Sequence, residues 1–177
     1  MRTFINPSPQ GIPDADIAAL MEAERPHLLR YACYRLGNSD DAEDAVQDVF
    51  LQLHDRQHDA QGRPLAQPRN YLYRSLSNVC TDRLRRLRSR QFIPIEQAAH
   101  LCEEQAENFE QEFRRISALL AAIPDEQAEV IRLRLHGGNS FTNIADILEL
   151  PVSTVKSRFQ YGIEKIRKGL GPQSQTR

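Results

Sequence analysis

Tryptophan is absent from this 177-residue chain, cysteine occurs only three times, and glycine is held to eight positions. Cys33, Cys80 and Cys102 form no C-x-x-C pair and are odd in number, so neither a disulfide framework nor a structural zinc site is expected. A reducing cytoplasm is the compartment that suits them. No apolar run approaches the roughly 20 residues that cross a bilayer, so no membrane insertion is expected. The stretch from Met1 to Ile12 has one arginine and no apolar core, and is not expected to act as a secretory signal. His27, His54, His58, His100 and His136 show no metal-ligand spacing with cysteines or carboxylates, and the i,i+4 pair His54/His58 falls at a loop end. With no phosphate-cradling loop and no nucleophile–base pair either, neither catalysis nor a metal or cofactor is expected.

What the chain does have is charge, at 27% of residues, and 40% hydrophobic residues, enough for one ordinary domain or two small ones. The net charge of -1 hides strong segregation. Residues 38–59 carry a net -6, residues 69–90 a net +6, residues 96–112 a net -6 and residues 149–168 a net +3. Alternating blocks of this kind predict separate surfaces for separate partners.

The apolar spacing is helical throughout, with no sustained period of two. A short helix is expected over Asp14–Glu24 and a second from Pro26 to Leu36, closed by Gly37. Asp40 and Glu43 suggest a capping box for a helix reaching His54, with Ala42, Val46, Val49, Phe50 and Leu53 inward. After a polar loop over residues 56–68, a long helix should run from Arg69 to Arg90, about 33 Å. Its expected buried stripe is Leu72, Leu76, Val79, Cys80, Leu84 and Leu87. The glutamate-rich stretch 92–112 reads as an acidic linker. Beyond it lie helices over Phe113–Ile123, Pro124–His136, Ser140–Leu148 and Pro151–Leu170. The reading is all-α: one helical module over 14–91, the linker over 92–112, and a second module over 113–170.

Three constellations stand out. The last two helices have helix-turn-helix spacing, and the outward face of the final one begins with hydroxyls and ends with cations. Such a face can place Ser153, Thr154, Ser157, Arg158 and Tyr161 in a major groove. On the long helix, Tyr71, Arg74, Asn78, Asp82 and Arg85 recur about once per turn, a surface able to stack on and hydrogen-bond an unpaired base. On the acidic helix, Asp44, Gln47, Asp48 and Leu51 form an outward stripe suited to docking a protein.

The runs DDAEDAVQDVFLQL (Asp40–Leu53), PRNYLYRSLSNVCTDRLRR (Pro68–Arg86) and SFTNIADILELPVSTVKSR (Ser140–Arg158) occur in that order. Together the chain resembles an extracytoplasmic-function (ECF) sigma factor, the small two-domain class of bacterial sigma factors, over roughly residues 16–170. The resemblance implies that Asp44, Gln47, Asp48 and Leu51 dock on the β′ clamp coiled coil of core RNA polymerase, with the β flap as a further contact. It implies that Asn78, Asp82 and Arg85, with Tyr71 and Arg74, recognise and open the -10 element, and that the loop 57–68 captures a flipped base. Ser153, Thr154, Lys156, Ser157, Arg158 and Tyr161 would then read the -35 element as duplex, and an anti-sigma factor becomes a further partner. The family's melting wedge has no tryptophan to fill it here; Tyr71 and Tyr73 are the aromatic candidates. Glu149 stands where the turn of such a helix-turn-helix ordinarily has glycine, so a reshaped turn is expected. Two other readings stay open on the residues alone: a classical DNA-binding regulator that needs no polymerase, and a helical adaptor whose charged faces bind only proteins.

Overall fold

The computed structural model describes residues 14–58, 65–89 and 106–170, and every regular element among them is a helix. The chain order is α1 (Asp14–Leu36), α2 (Ser39–His58), α3 (Pro68–Ser89), α4 (Ala106–Ala121), α5 (Asp125–Ile131), a π-helical turn (Arg132–His136), α6 (Phe141–Leu148) and α7 (Val152–Gly169). Helices α1–α3 make the first module and α4–α7 the second.

In the first module α1 packs on α2 and both pack on α3. Leu28, Tyr31 and Ala32 from α1 meet Ala42, Ala45, Val46, Val49 and Leu53 from α2 and Leu72, Leu76 and Cys80 from α3, all buried. Full burial of a leucine or valine contributes about 1.5–3 kcal/mol, so this cluster outweighs local preferences. One such preference is overridden at Pro26. The two short helices expected around it are a single helix, and Pro26 sits inside α1 on an exposed surface. Gly37 ends α1 with φ +75, and its N–H reaches back to the Cys33 carbonyl at 2.8 Å. The cap of α2 also differs from expectation: Asn38, not Asp40, accepts the Asp40 N–H on its side-chain oxygen at 2.8 Å. Asn38 precedes the first turn and so reaches the orphan donors that Asp40, already inside the helix, cannot. On α3, Leu87 leaves the expected buried stripe and is 48% exposed, on a groove that it lines with Asp41, Asp48 and Gln52 of α2.

The second module is built on Leu120, Ile123, Ala128 and Ile131, with Phe159, Ile163 and Ile166 of α7 against them. Ser140 caps α6 as expected, accepting the Asn143 N–H at 3.1 Å. The helix expected over 124–136 divides into α5 and the π turn, where the Gly137 N–H bonds the Arg132 carbonyl five residues back. Helix α4 begins at Ala106, inside the stretch expected to be linker.

The two modules are packed together, which the spacing of the sequence did not foreshadow. α1 lies along the π turn and α3 along α6. One continuous apolar cluster joins Leu28, Tyr31 and Leu72 to Phe113, Val130, Leu133 and Ile144. Tyr34 of α1 stacks on His136 with ring centres 3.7 Å apart and leans on Phe113 at 4.7 Å. Gly137 makes the closest approach: a Cβ there would lie 2.9 Å from the Tyr73 ring, 2.9 Å from the Leu133 carbonyl and 2.7 Å from the Asn139 amide. Gly137→Ala is therefore expected to destabilise the chain by about 1–3 kcal/mol, the cost of overpacking a filled site. Urea denaturation of the two proteins checks this directly.

Candidate nucleic-acid interface

The seam between the modules contains a carboxylate that burial alone would make costly. Glu129 on α5 is 7% exposed and accepts hydrogen bonds from the Tyr31 hydroxyl and from Ser77 Oγ at 2.9 Å. Its second oxygen lies 3.5 Å from Arg35 Nε and 3.6 Å from Arg132 Nη1. Arg35 also makes a two-pronged contact with Asp125, so α1 grips the start of α5 with one guanidinium. Burial opposes the charge on Arg35, but the Asp125 hydrogen bonds and the Glu129 charge outweigh it and raise its pKa. Burial, followed by the nearby Glu129, holds the Tyr31 hydroxyl well above its ordinary pKa and pushes the Cys80 thiol up to about 12. These groups keep fixed protonation states near neutral pH and serve to hold the modules in register.

A second polar cluster lies at the N-terminal half of α3. Arg69 bonds Glu24 at 2.7 Å, the Asn139 side chain, and the Gly137 carbonyl at 3.4 Å. Tyr73 is fully buried and donates its hydroxyl to the Gly137 carbonyl at 2.8 Å. That placement removes Tyr73 from the aromatic wedge candidates, since its ring is held in the seam rather than offered to a base. Arg74 reaches past it to the C-terminal end of α6, bonding the carbonyls of Asp146 and Ile147 and pairing with Glu149 at 2.9 Å.

The outward row of α3 is thereby split. Tyr71 is half-buried, with the Arg56 guanidinium 5.0 Å from its ring centre, and Arg74 is engaged by the second module. Asn78, Asp82 and Arg85 face solvent together, and Arg85 pairs with Asp82 at 3.1 Å. Only the C-terminal half of the pattern expected to read an unpaired base is exposed without a contact to the second module, since Arg74 is exposed but tied to α6. Of the loop expected to capture a flipped base, residues 59–64 lie outside the described residues, as does most of the acidic linker.

On α2, Asp44, Gln47, Asp48 and Leu51 are exposed as expected, and Leu51 presents 56% of its surface. Asp48 turns toward α3, where Arg83 holds it at 2.7 Å on the rim of a groove of about 480 Å³. On α7, Ser153, Lys156, Ser157 and Tyr161 are exposed, while Thr154 and Arg158 are half-buried. Ser157 Oγ bonds back to the Ser153 carbonyl at 2.9 Å, and Arg158 pairs with Glu126 at 2.6 Å. The turn is not reshaped as expected: Glu149 itself takes the left-handed conformation that glycine ordinarily supplies at the end of α6, with φ 55 and ψ 45. A side chain in that region costs about 1–2 kcal/mol where glycine costs little.

The seam residues Glu24, Tyr31, Arg35, Glu129 and Asn139 were not among the candidates. Glu129 did carry a signal, a carboxylate inside the apolar run Ala128–Val130–Ile131 and three residues before Arg132. A charge on an inward face with a countercharge one turn away marks a buried pair.

Among the described residues no group of three or more His, Cys, Asp or Glu could hold a metal ion, and no helix is long and apolar enough to cross a membrane. Fold and surface define a two-module helical protein with a helix-turn-helix at its C-terminal end. Residues 20–90 match the sigma-70 region 2 family and residues 119–168 the sigma-70 region 4 family. The chain is 29% identical over 154 residues to the ECF RNA polymerase sigma factor SigW of Bacillus subtilis, covering 78% of this chain and 80% of that one. It is 29% identical over 144 residues to the ECF RNA polymerase sigma factor SigM of Mycobacterium tuberculosis, covering 81% and 71%. Its fold is similar to CnrH in complex with the cytosolic domain of CnrY (TM-score 0.67, 21% identity, 92% of each chain). It is similar also to the sigma factor RpoE in complex with the anti-sigma factor NepR from Bartonella quintana (TM-score 0.68, 21% identity, 90% and 99%). The chain belongs to the extracytoplasmic-function sigma factors of the sigma-70 family, factors of transcription initiation.

One residue of the seam titrates in an accessible range. Burial, then the charges of Arg30 and Arg132, hold His136 down at about 4 from an ordinary 6.5. Between those values the unfolded chain binds the extra proton and the folded chain does not, so stability falls as pH drops from 6.5 toward 4. Asp125, lowered chiefly by the Arg35 hydrogen bond, adds a further loss below its ordinary 3.8. We expect wild type to lose about 1–2 kcal/mol through His136 between pH 7 and 4.5, after discounting for partial exposure. His136→Phe, which keeps a ring against Tyr34, should lose that much less, as read from urea midpoints at both pH values.

Proposed function

We propose that this chain binds core RNA polymerase in the cytoplasm and directs promoter-specific initiation, reading the -35 element as duplex with α7 and opening the -10 element on α3. The observation that carries the reading is the presence in one chain of both sigma-70 regions, in order and on separate modules. The alternatives weaken on the same ground: a regulator independent of polymerase, or an adaptor that binds only proteins, needs no region 2 beside its helix-turn-helix.

The physical division of labour follows from the two surfaces. The exposed serines and the cations of α7 suit paired DNA, where hydroxyls and Arg158 reach base edges and Lys156 meets phosphate. On α3, the amide of Asn78, the carboxylate of Asp82 and the guanidinium of Arg85 suit the edges of an unpaired base, with Tyr71 and Arg74 alongside. Unstacking a base costs a few kcal/mol, and each base stacked on an aromatic ring returns about 1–3. The chain alone supplies too little for opening, and contacts with polymerase make up the remainder. Asp44, Gln47, Asp48 and Leu51 supply the docking stripe on the β′ clamp, with the β flap as a second contact. No catalytic residue, metal or cofactor belongs to this mechanism. CnrY and NepR are seen bound to the similar CnrH and RpoE, and an anti-sigma factor is a partner of the same kind for this chain.

Run-off transcription with purified core polymerase tests the reading: specific transcripts should depend on adding the chain, and none from any genomic template overturns it. Asn78→Ala and Arg85→Ala should lower promoter opening, followed by permanganate reactivity of unpaired thymines, more than closed-complex formation. Arg158→Ala should weaken the closed complex by about tenfold instead. Asp48→Ala with Leu51→Ala should reduce capture of core polymerase while leaving the circular dichroism of the chain unchanged.

A further inference from the structure

Arg158 belongs to the α7 surface proposed to read duplex, yet it is half-buried and its guanidinium is not free to swing. Val155 and Gly162, on either side of it along α7, are buried. Arg158 therefore leaves the helix at the edge of its packed side, as does Thr154 one turn before it. Helix α5 is pressed against that side: a Cβ on Gly162 would lie 2.7 Å from Ile131 Cδ1 and 3.3 Å from Gln127 Cβ. From the first turn of α5, Glu126 accepts a hydrogen bond from Arg158 Nη2 at 2.6 Å. The Glu126 side chain is 57% exposed and that of Arg158 27%, so the pair sits at the surface. Cohesion is not its task, because Ile123 and Ile131 already pack on Phe159, Ile163 and Ile166, and exposed ion pairs add little.

A guanidinium carries five N–H donors in a planar fork. The bond to Glu126 uses one N–H of Nη2 and leaves a two-pronged edge of the fork free. Two parallel donors match N7 and O6 of guanine, the commonest specific arginine contact in a major groove. An arginine without a partner must give up its rotamer freedom to make that contact, and can settle on a phosphate instead. The carboxylate removes part of that freedom in advance. It also sets a negative charge near a polyanion, which opposes phosphate contacts at every sequence alike.

We propose that Glu126 is a positioning residue for the duplex readout: it steadies Arg158 against a guanine of the -35 element, sharpening discrimination at that base pair while lowering affinity for duplex of any sequence. The inference rests on the sigma reading above and adds to it a residue of α5 that acts through Arg158.

The test uses holoenzyme assembled from core polymerase and the full chain, with fluorescein-labelled duplexes of a promoter that gives run-off transcripts. Each -35 base pair is replaced in turn, and one duplex has the element scrambled. Anisotropy compares wild type, Glu126→Gln, Arg158→Ala and the double variant; Glu22→Gln, at an exposed site on α1, controls for the loss of one negative charge. The pair read by Arg158 is the one whose replacement penalty Arg158→Ala erases, and that penalty should be about tenfold in Glu22→Gln. In Glu126→Gln it should fall to about threefold, as expected for loss of an exposed ion pair, with the other base pairs unaffected. Scrambled duplex should bind Glu126→Gln about twofold more tightly than Glu22→Gln, and the double variant should discriminate no better than Arg158→Ala. A penalty profile shared by Glu126→Gln and Glu22→Gln, or a uniform loss at every base pair in Glu126→Gln, overturns the positioning role and leaves the sigma reading standing. An Arg158→Ala profile that keeps every wild-type penalty overturns it too. Absence of run-off transcription from wild type overturns the sigma reading itself, and the positioning role with it.

Discussion

The buried carboxylate of Glu129 is the constraint around which the two modules are arranged. An ionised carboxylate withdrawn from water is costly unless charges and donors surround it, and here they come from two different helices and the π turn. Tyr31 and Arg35 arrive from α1, Ser77 from α3, and Arg132 from the turn that follows α5. No single module contains the full set. The polar cluster therefore fixes which face of the second module meets the first, while the apolar cluster on either side supplies most of the attraction. Buried ion pairs are weak sources of net stability, so the role that fits Glu129 is to specify one packing among the many that greasy surfaces would tolerate.

That packing has consequences for the charged faces of α2, α3 and α7. Helix α7 keeps its N-terminal hydroxyls and Tyr161 in solvent, and the acidic stripe of α2 stays open. The α3 row does not stay whole: Arg74 is bonded to the end of α6, and beside the row Arg69 and Tyr73 are bonded to Asn139 and Gly137 after the π turn. The recurrent motif is a cation or hydroxyl of α3 satisfying carbonyls that a helix end leaves bare. The outward faces of α7 and α3 are chemically distinct, and only that of α3 is engaged by the other module.

Much of the fold was legible because helices announce themselves through period and punctuation. The stripes Ala42–Val46–Val49–Leu53 and Leu72–Leu76–Cys80 are buried as their spacing requires, and Ser140 caps α6 as its position before an apolar run suggests. The turn at Glu149 was misread: reshaping was expected, and the residue takes the left-handed conformation instead. Where local signals conflicted with packing, packing won. Pro26 read as a boundary, yet the burial of Leu28, Tyr31 and Ala32 carries α1 through it. Leu87 read as core and is exposed, since a period says which side of a helix is apolar but not how far its neighbours extend.

The sequence alone determined the helices, their inward faces, the segregation of charge and the order of the two sigma regions, because each depends on residues near one another along the chain. It could not show that Glu129 and Asn139 are buried partners of α1 and α3 residues, that Glu24 bonds Arg69 and Tyr73, nor that Arg74 is spent on α6. Those contacts join positions dozens of residues apart: 98 between Tyr31 and Glu129, and 72 between Arg74 and Asp146. Only the docking of one module on the other brings them within reach, because a guanidinium or a carboxylate carries no mark of its partner until the backbone has folded.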